Sequence, residues 1–167
     1  MLMLPNNPNI VMAAQQAAEL ADGAVTVVAS RNVPQGVAAL LAFNPDLDGD
    51  GNTSAMTKAL ADITSGEITT ATRSTTLNGV VVEQGQTIGL LEGKLIAAAP
   101  TAHDALLALL DYAAPDDGSL VTLYHGANAS AADAAAAANA IEKRFSGVDV
   151  DVQSGEQPHY HYLVSIE

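Results

Sequence analysis

The sequence predicts an α/β fold: mixed sheets with βαβ units at both ends and an antiparallel β-meander in the middle. Three observations lead there. A strand–helix–strand pattern fills the start of the chain, a Thr-, Val- and Ile-rich stretch with glycine turns occupies 66–99, and helices again alternate with strands over 100–167. Apolar residues make up 49% and charged residues 15%, enough for a packed interior. Aromatics are only 4% with no Trp, so the core must come from Val, Ile, Leu and Ala, which suits helices packed closely on a sheet.

Residues 1–4 read as a short buried strand, stopped by the turn-forming Pro5, Asn6, Asn7 and Pro8. Asn9 is expected to cap a helix through Asp22, with Ile10, Ala13, Ala14, Ala17 and Leu20 spaced along its inner face. Gly23 ends it. Residues 24–29 (AVTVVA) are β-branched and nearly continuous in apolar character, as in a strand covered on both faces. Strand, helix and strand make a βαβ unit, so these two strands are expected to be parallel. A chain that begins inside a strand is expected to be cut from a longer polypeptide, because termini are loose unless tied down.

After the loop Ser30, Arg31 and Asn32, a helix is expected over 34–43 with Pro34 in its first turn. An acidic loop over 44–52 and a helix over 53–63 follow. Within 66–99 the turn pairs Asn78-Gly79, Gly85-Gln86 and Glu92-Gly93 divide alternating strands into a meander. Thr101 and Asp104 resemble a capping box, with Asp in place of Glu, opening a helix to 113. A strand over 120–125 precedes an alanine-rich helix capped by Ser130 and Asp133 and running to Phe145. Strands over 148–153 and 159–166 complete the chain. The length fits one domain, 1–167, with subregions 1–65 (βαβ-like), 66–99 (meander) and 100–167 (helix plus βαββ).

Nineteen acidic residues against six basic ones give a formal charge of −13. Nucleic acid is excluded as a partner, because its affinity comes largely from Lys and Arg neutralising phosphates. Anionic membrane surfaces are unfavourable for the same reason. Cysteine is absent, which removes disulfides, thiolate zinc sites and cysteine nucleophiles. The N-terminal MLMLPNNPN lacks a basic segment and is broken early by proline, so it is not expected to act as a signal peptide. No apolar run approaches the roughly 20 residues of a membrane span. The expected compartment is the cytoplasm, with no membrane insertion.

Asp46, Asp48 and Asp50, with Gly51 after them, match the first half of a calcium loop. Thr57 stands where a bidentate Glu closes the cation shell, and Thr53 where a hydrophobic residue anchors the loop. The plainer reading is an acidic solvent loop whose charge favours the start of the next helix. His159 and His161 lie two apart on a predicted strand, so both imidazoles are expected on one face, with His125 as a conceivable third donor. Edge-strand histidines packing beside Tyr160 and Tyr162 are the simpler alternative. No serine-nucleophile, phosphate-loop or dinucleotide motif occurs.

Two loops remain, Pro5 to Asn9 and Ser30 to Gly36, each after the C-terminal end of a predicted parallel strand. In open α/β sheets that edge is where ligands and partners bind. Arg31, one of six cations, could dock a carboxylate there among amide side chains. Local turns and caps are the competing use of those asparagines.

At these loops the chain resembles a known family. LPNNPNIVMAAQQAAEL and VVASRNVPQGVAALLAFNP, then TTLNGVVVEQGQTIGLLEGKLIAAA and LVTLYHGANASAADAAAAANAIEKRF, and finally GEQPHYHYLVSIE, are similar to the C-terminal domain of the dihydroxyacetone-kinase-like family that includes the fatty-acid kinase component FakA. The resemblance spans essentially the whole chain. It implies a parent protein whose separate N-terminal domain binds ATP and magnesium, so no cofactor is expected in this chain. It also implies a C-terminal portion that docks a fatty-acid-binding carrier protein presenting the acyl carboxylate for phosphorylation. By that analogy Asn6, Asn7, Arg31, Pro34, Gln35 and Gly36 are the candidate partner-binding residues, and none is catalytic. The loop at Asp46 to Asn52 and the His159-Tyr160-His161 triplet depart from the family pattern and gain no role from it. The alternatives are a small metal-dependent phosphatase or hydrolase using 46–52 or His159 and His161, and a structural module for self-association.

Overall fold

The computed structural model describes residues 1–77 and 79–167. It divides into two compact units, Met1–Ile63 and Thr64–Glu167.

The first unit opens with β1 (Leu2–Met3), followed by α1 (Pro8–Leu20) and β2 (Thr26–Val27). The strands pair in parallel, Leu2 opposite Thr26 and Met3 opposite Val27, so the expected βαβ unit is present. Asn7 rather than Asn9 caps α1: its side chain accepts from the Asn9 N–H at 2.9 Å, and Pro8 occupies the first turn. Proline there is favourable, since its missing N–H would have had no helical partner. The inner face expected for α1 is not realised. Ile10 and Leu20 are exposed, and no residue of the helix is buried.

Next come α2 (Val33–Leu41), capped by Asn32, and α3 (Gly49–Ala61), capped by Asp48. α3 begins four residues earlier than the sequence suggests. Glycines at 49 and 51 are poor helix formers, but the Asp48 carboxylate accepts from the Gly51 N–H at 2.8 Å and secures the first turn. Val28, Ala39 and Met56 form a small core, with Leu2, Leu4, Ala42 and Leu60 packed around it.

The second unit is built on a six-stranded sheet of β3 (Thr64–Thr70), β6 (Thr87–Leu91), β7 (Lys94–Ala99), β8 (Leu120–His125), β9 (Asp149–Ser154) and β10 (Tyr160–Ile166). Its order is β7-β6-β3-β10-β8-β9. A separate hairpin, β4 (Thr75–Leu77) with β5 (Val80–Val82), is inserted after β3. Asn78, expected in its turn with Gly79, lies outside the described residues. The antiparallel meander is as expected through β3, β6 and β7. Glu92 and Gly93 join β6 to β7 with φ of 48° and 73°, the two left-handed positions that a tight hairpin needs.

β10 lies at the centre of the sheet, antiparallel to β3 and β8, and not at an edge. β8 and β9 are parallel and are connected by α5 (Ala131–Arg144). Ser130 and Asp133 close a capping box at its start. One row of register partners crosses five strands: Leu91, Gly66, Val164, Leu123 and Val152. Onto this face pack α4 (Ala102–Ala113), through Ala105, Leu106, Leu109 and Leu110, and α5, through Ala134, Ala137 and Ile141. Gly66 is required by that packing, because a Cβ there would lie 2.9 Å from a methyl of Leu109.

Candidate functional site

The two asparagine- and proline-marked loops meet in the first unit, at the C-terminal ends of the parallel strands. The Asn6 N–H donates to the Ser30 hydroxyl at 3.1 Å, and that hydroxyl donates back to Asn6 Oδ1 at 2.6 Å. Asn6 adopts φ of 53°, a left-handed conformation that asparagine tolerates better than most residues. Its carboxamide fills the space beside Gly36, where a Cβ would collide with it. Asn6, Ser30 and Gly36 are therefore a single packed joint between the loops.

The remaining candidates divide between interior and surface. Pro34, Gln35 and Gly36 are buried. Gln35 is a support: its Oε1 accepts from the Arg31 N–H at 2.9 Å, while its own N–H donates to Asn32 Oδ1 at 3.0 Å. These bonds fix the backbone from which Arg31 projects. Asn7 is exposed and is used as the α1 cap, and Arg31 is exposed. Beside Arg31 lies a cavity of about 350 Å³, lined by Pro8, Val11, Met12 and Gln15 of α1 and by Ala29. Ser30 and the Met12 side of α1 were not singled out from the sequence. A serine beginning a loop carries no local sign of a long-range bond, and an apolar residue on a helix reads as core by default.

The acidic segment is organised as a helix start. Gly49 to Asn52 are helical, and Asp48 is occupied as the cap. Asn52 is buried. Its amide donates to the carbonyls of Asn44, Leu47 and Asp48 at 2.9, 3.0 and 3.1 Å and accepts from the Asn44 N–H at 2.8 Å. The segment thus folds back on itself through its own backbone instead of presenting a ring of oxygens. The histidine pair straddles the start of a strand. His159 precedes β10 with φ of 71°, outside the regular alternation of a strand, and the register shifts between Tyr160 and Tyr162. Of the two, His161 alone therefore lies on the strand. His161 Nε2 shares a hydrogen bond with Thr70 Oγ1 at 3.2 Å, and His125 Nδ1 one with the Ala129 carbonyl at 3.1 Å. Among the described residues, no group of three His, Asp or Glu side chains could hold a metal ion.

In the second unit, a cavity of about 340 Å³ at the starts of α4 and α5 is lined by Thr101, His103, Asn128, Asp133, His161 and Tyr162. The Ser130 hydroxyl and N–H hold the Asp133 carboxyl below its ordinary range, so a negative charge stands at this cavity. Burial first, and Asp133 second, push the Tyr162 phenol up. The two cavities differ in sign: a carboxylate at one, a guanidinium at the other.

Comparison with known proteins adds the following. Residues 1–167 match the FakA-like C-terminal family of fatty acid kinase. The chain is 36% identical over 165 residues to protein YloV of Bacillus subtilis, covering 99% of this chain and 30% of YloV. It is 32% identical over 166 residues to an uncharacterized Staphylococcus aureus protein, again 99% of this chain and 30% of the relative. The chain thus spans about a third of the length of these relatives. Among solved structures, a Streptococcus pneumoniae fatty acid kinase B3 protein loaded with linoleic acid superposes with a TM-score of 0.62 at 13% identity, over 99% of this chain and 70% of that one. A DegV family protein from Eubacterium eligens loaded with heptadecanoic acid gives 0.62 at 18% identity, over 99% and 72%. These two likenesses establish the mixed α/β fold. No described helix is long and apolar enough to cross a membrane.

Proposed function

The chain belongs to the FakA-like C-terminal family of fatty acid kinase, and from that premise we propose that it is a non-catalytic, partner-binding domain of a fatty-acid kinase. It docks a fatty-acid-binding carrier protein so that a kinase domain elsewhere in the parent polypeptide can phosphorylate the acyl carboxylate. ATP and magnesium belong to that other domain. The whole-length family match is the observation that carries this reading. The rim at Asn6, Ser30 and Arg31 supports it, because the loops are locked from within while Arg31 and Asn7 stay exposed. Such a rim can recognise a partner without rearranging, which keeps the entropic cost of association low. The phosphatase or hydrolase alternative gains nothing from the acidic segment or the histidines, which form no three-ligand group among the described residues.

A titration of this protein with a fatty-acid-loaded DegV-family protein from the same organism tests the reading. Saturable binding is expected, and its absence would overturn the docking role. Tight binding of Mg-ATP by this chain alone would overturn the non-catalytic role.

A further inference from the structure

We propose that the Arg31 cavity is the seat of a single acidic side chain of the partner protein, flanked there by an apolar one. The inference rests on the docking reading above and specifies its chemistry.

Charge selects the acid. The first unit carries six carboxylates, on Glu19, Asp22, Asp46, Asp48, Asp50 and Asp62, against two cationic side chains, Arg31 and Lys58. A generally basic partner would be drawn to many places on such a surface, whereas a partner carboxylate has very few. Arg31 is the cation at the cavity, and among the described residues the one salt bridge is elsewhere, between Arg144 and Asp111. A guanidinium offers a planar fork of donors that meets a carboxylate bidentately. Its backbone is already held by Gln35 and by the Asn32 cap, so little freedom remains to be lost when the fork engages.

Apolar surface selects the neighbour. Pro8, Val11 and Met12 line the same cavity, and Met12 is 71% exposed. Methionine is unbranched and polarizable, and it adapts to whatever apolar group is set against it. An apolar side chain seated there would also exclude water from the guanidinium–carboxylate pair and strengthen it.

The test measures the affinity of the protein for the fatty-acid-loaded carrier at low and moderate salt, with melting temperatures as a folding control. Arg31→Ala should weaken binding about tenfold or more and flatten its salt dependence. Arg31→Lys should recover only part of the loss, because a point charge lacks the fork. Met12→Ala should weaken binding about threefold. Leu20→Ala, more exposed than Met12 on the same helix but outside the cavity, should leave it unchanged. If the wild type binds and Arg31→Ala binds equally well, this inference is wrong and the docking role stands at another surface. If the wild type does not bind at all, the docking role itself fails. A loss with Leu20→Ala matching that of Met12→Ala would mean unspecific apolar adhesion and overturn the cavity. Arg31-dependent binding of free linoleate without carrier would make the cavity a lipid site and equally overturn it.

Discussion

In the second unit, helices α4 and α5 bury Leu106, Leu109, Leu110, Ala134, Ala137 and Ile141 against a continuous row of sheet side chains. In the first, Val28, Ala39 and Met56 are the buried apolar residues of a small core, while Ile10, Met12, Leu20, Leu40, Leu41 and Phe43 face outward. Polar side chains take up much of the work there: Asn6 with Ser30, Gln35 with Arg31, and Asn52 with three carbonyls. Side-chain-to-backbone bonds fix loop geometry without covering helix faces, so they leave apolar surface uncommitted. Large exposed apolar patches mark interaction surfaces. The difference therefore leaves more apolar surface uncovered in the first unit and gives the larger core to the second.

The sharpest way to break that contrast is at Leu109, which is fully buried where α4 crosses Gly66. Leu109→Ala should cost about 2–5 kcal/mol in a denaturant titration, against less than about 0.5 kcal/mol for Met12→Ala. Equal losses would erase the distinction. Asn52→Ala tests whether the first unit is held by polar bonds. It strands the Leu47 carbonyl and the Asn44 N–H, while the Asn44 and Asp48 carbonyls keep a backbone N–H each, and should cost about 1–3 kcal/mol, whereas a value near zero would place the stability of the segment elsewhere.

A smaller effect is expected at the capping box of α5. Ser130→Ala removes the acceptor for the Asp133 N–H and a donor to its carboxylate, for about 1 kcal/mol. It should also release the Asp133 carboxyl upward, visible by NMR titration. No change in that titration would refute the box as the cause. The smallest expected effect, and the most pH-dependent, concerns Glu67 on β3. Burial first, and the charge of Glu92 second, raise its carboxyl above the ordinary 4.5. The folded state then holds the proton more tightly than the unfolded one, so this group's favourable contribution is complete below the unfolded value and is lost as pH rises through the raised one. Glu67→Gln should accordingly raise the melting temperature at neutral pH, with the gain vanishing in acid. A gain independent of pH would show that charge is not the cause.

Much of the fold was legible because its signals are local. Ser130 with Asp133, Thr101 with Asp104, and Glu92 with Gly93 each act within a few residues. The errors came where local signals compete. Pro8 and Asn7 outbid Asn9 as the start of α1, and a single carboxylate on Asp48 carried a helix through two glycines. In the candidate site, the sequence located both loops and Arg31. It did not distinguish Gln35 and Gly36, which sit inside, from Arg31, which projects.

By itself, then, the sequence determined the α/β class, the paired parallel strands at the start, the meander, the caps of α4 and α5 and the acidic, cysteine-free character of the chain. All of these depend on backbone preferences and neighbours a few residues apart. Only the tertiary structure decided that the last strand enters the centre of the sheet between β3 and β8, and that Asn6 closes onto Ser30 and Gly36. Those outcomes pair groups tens of residues apart, where the choice depends on which surfaces are already buried and which donors are already used.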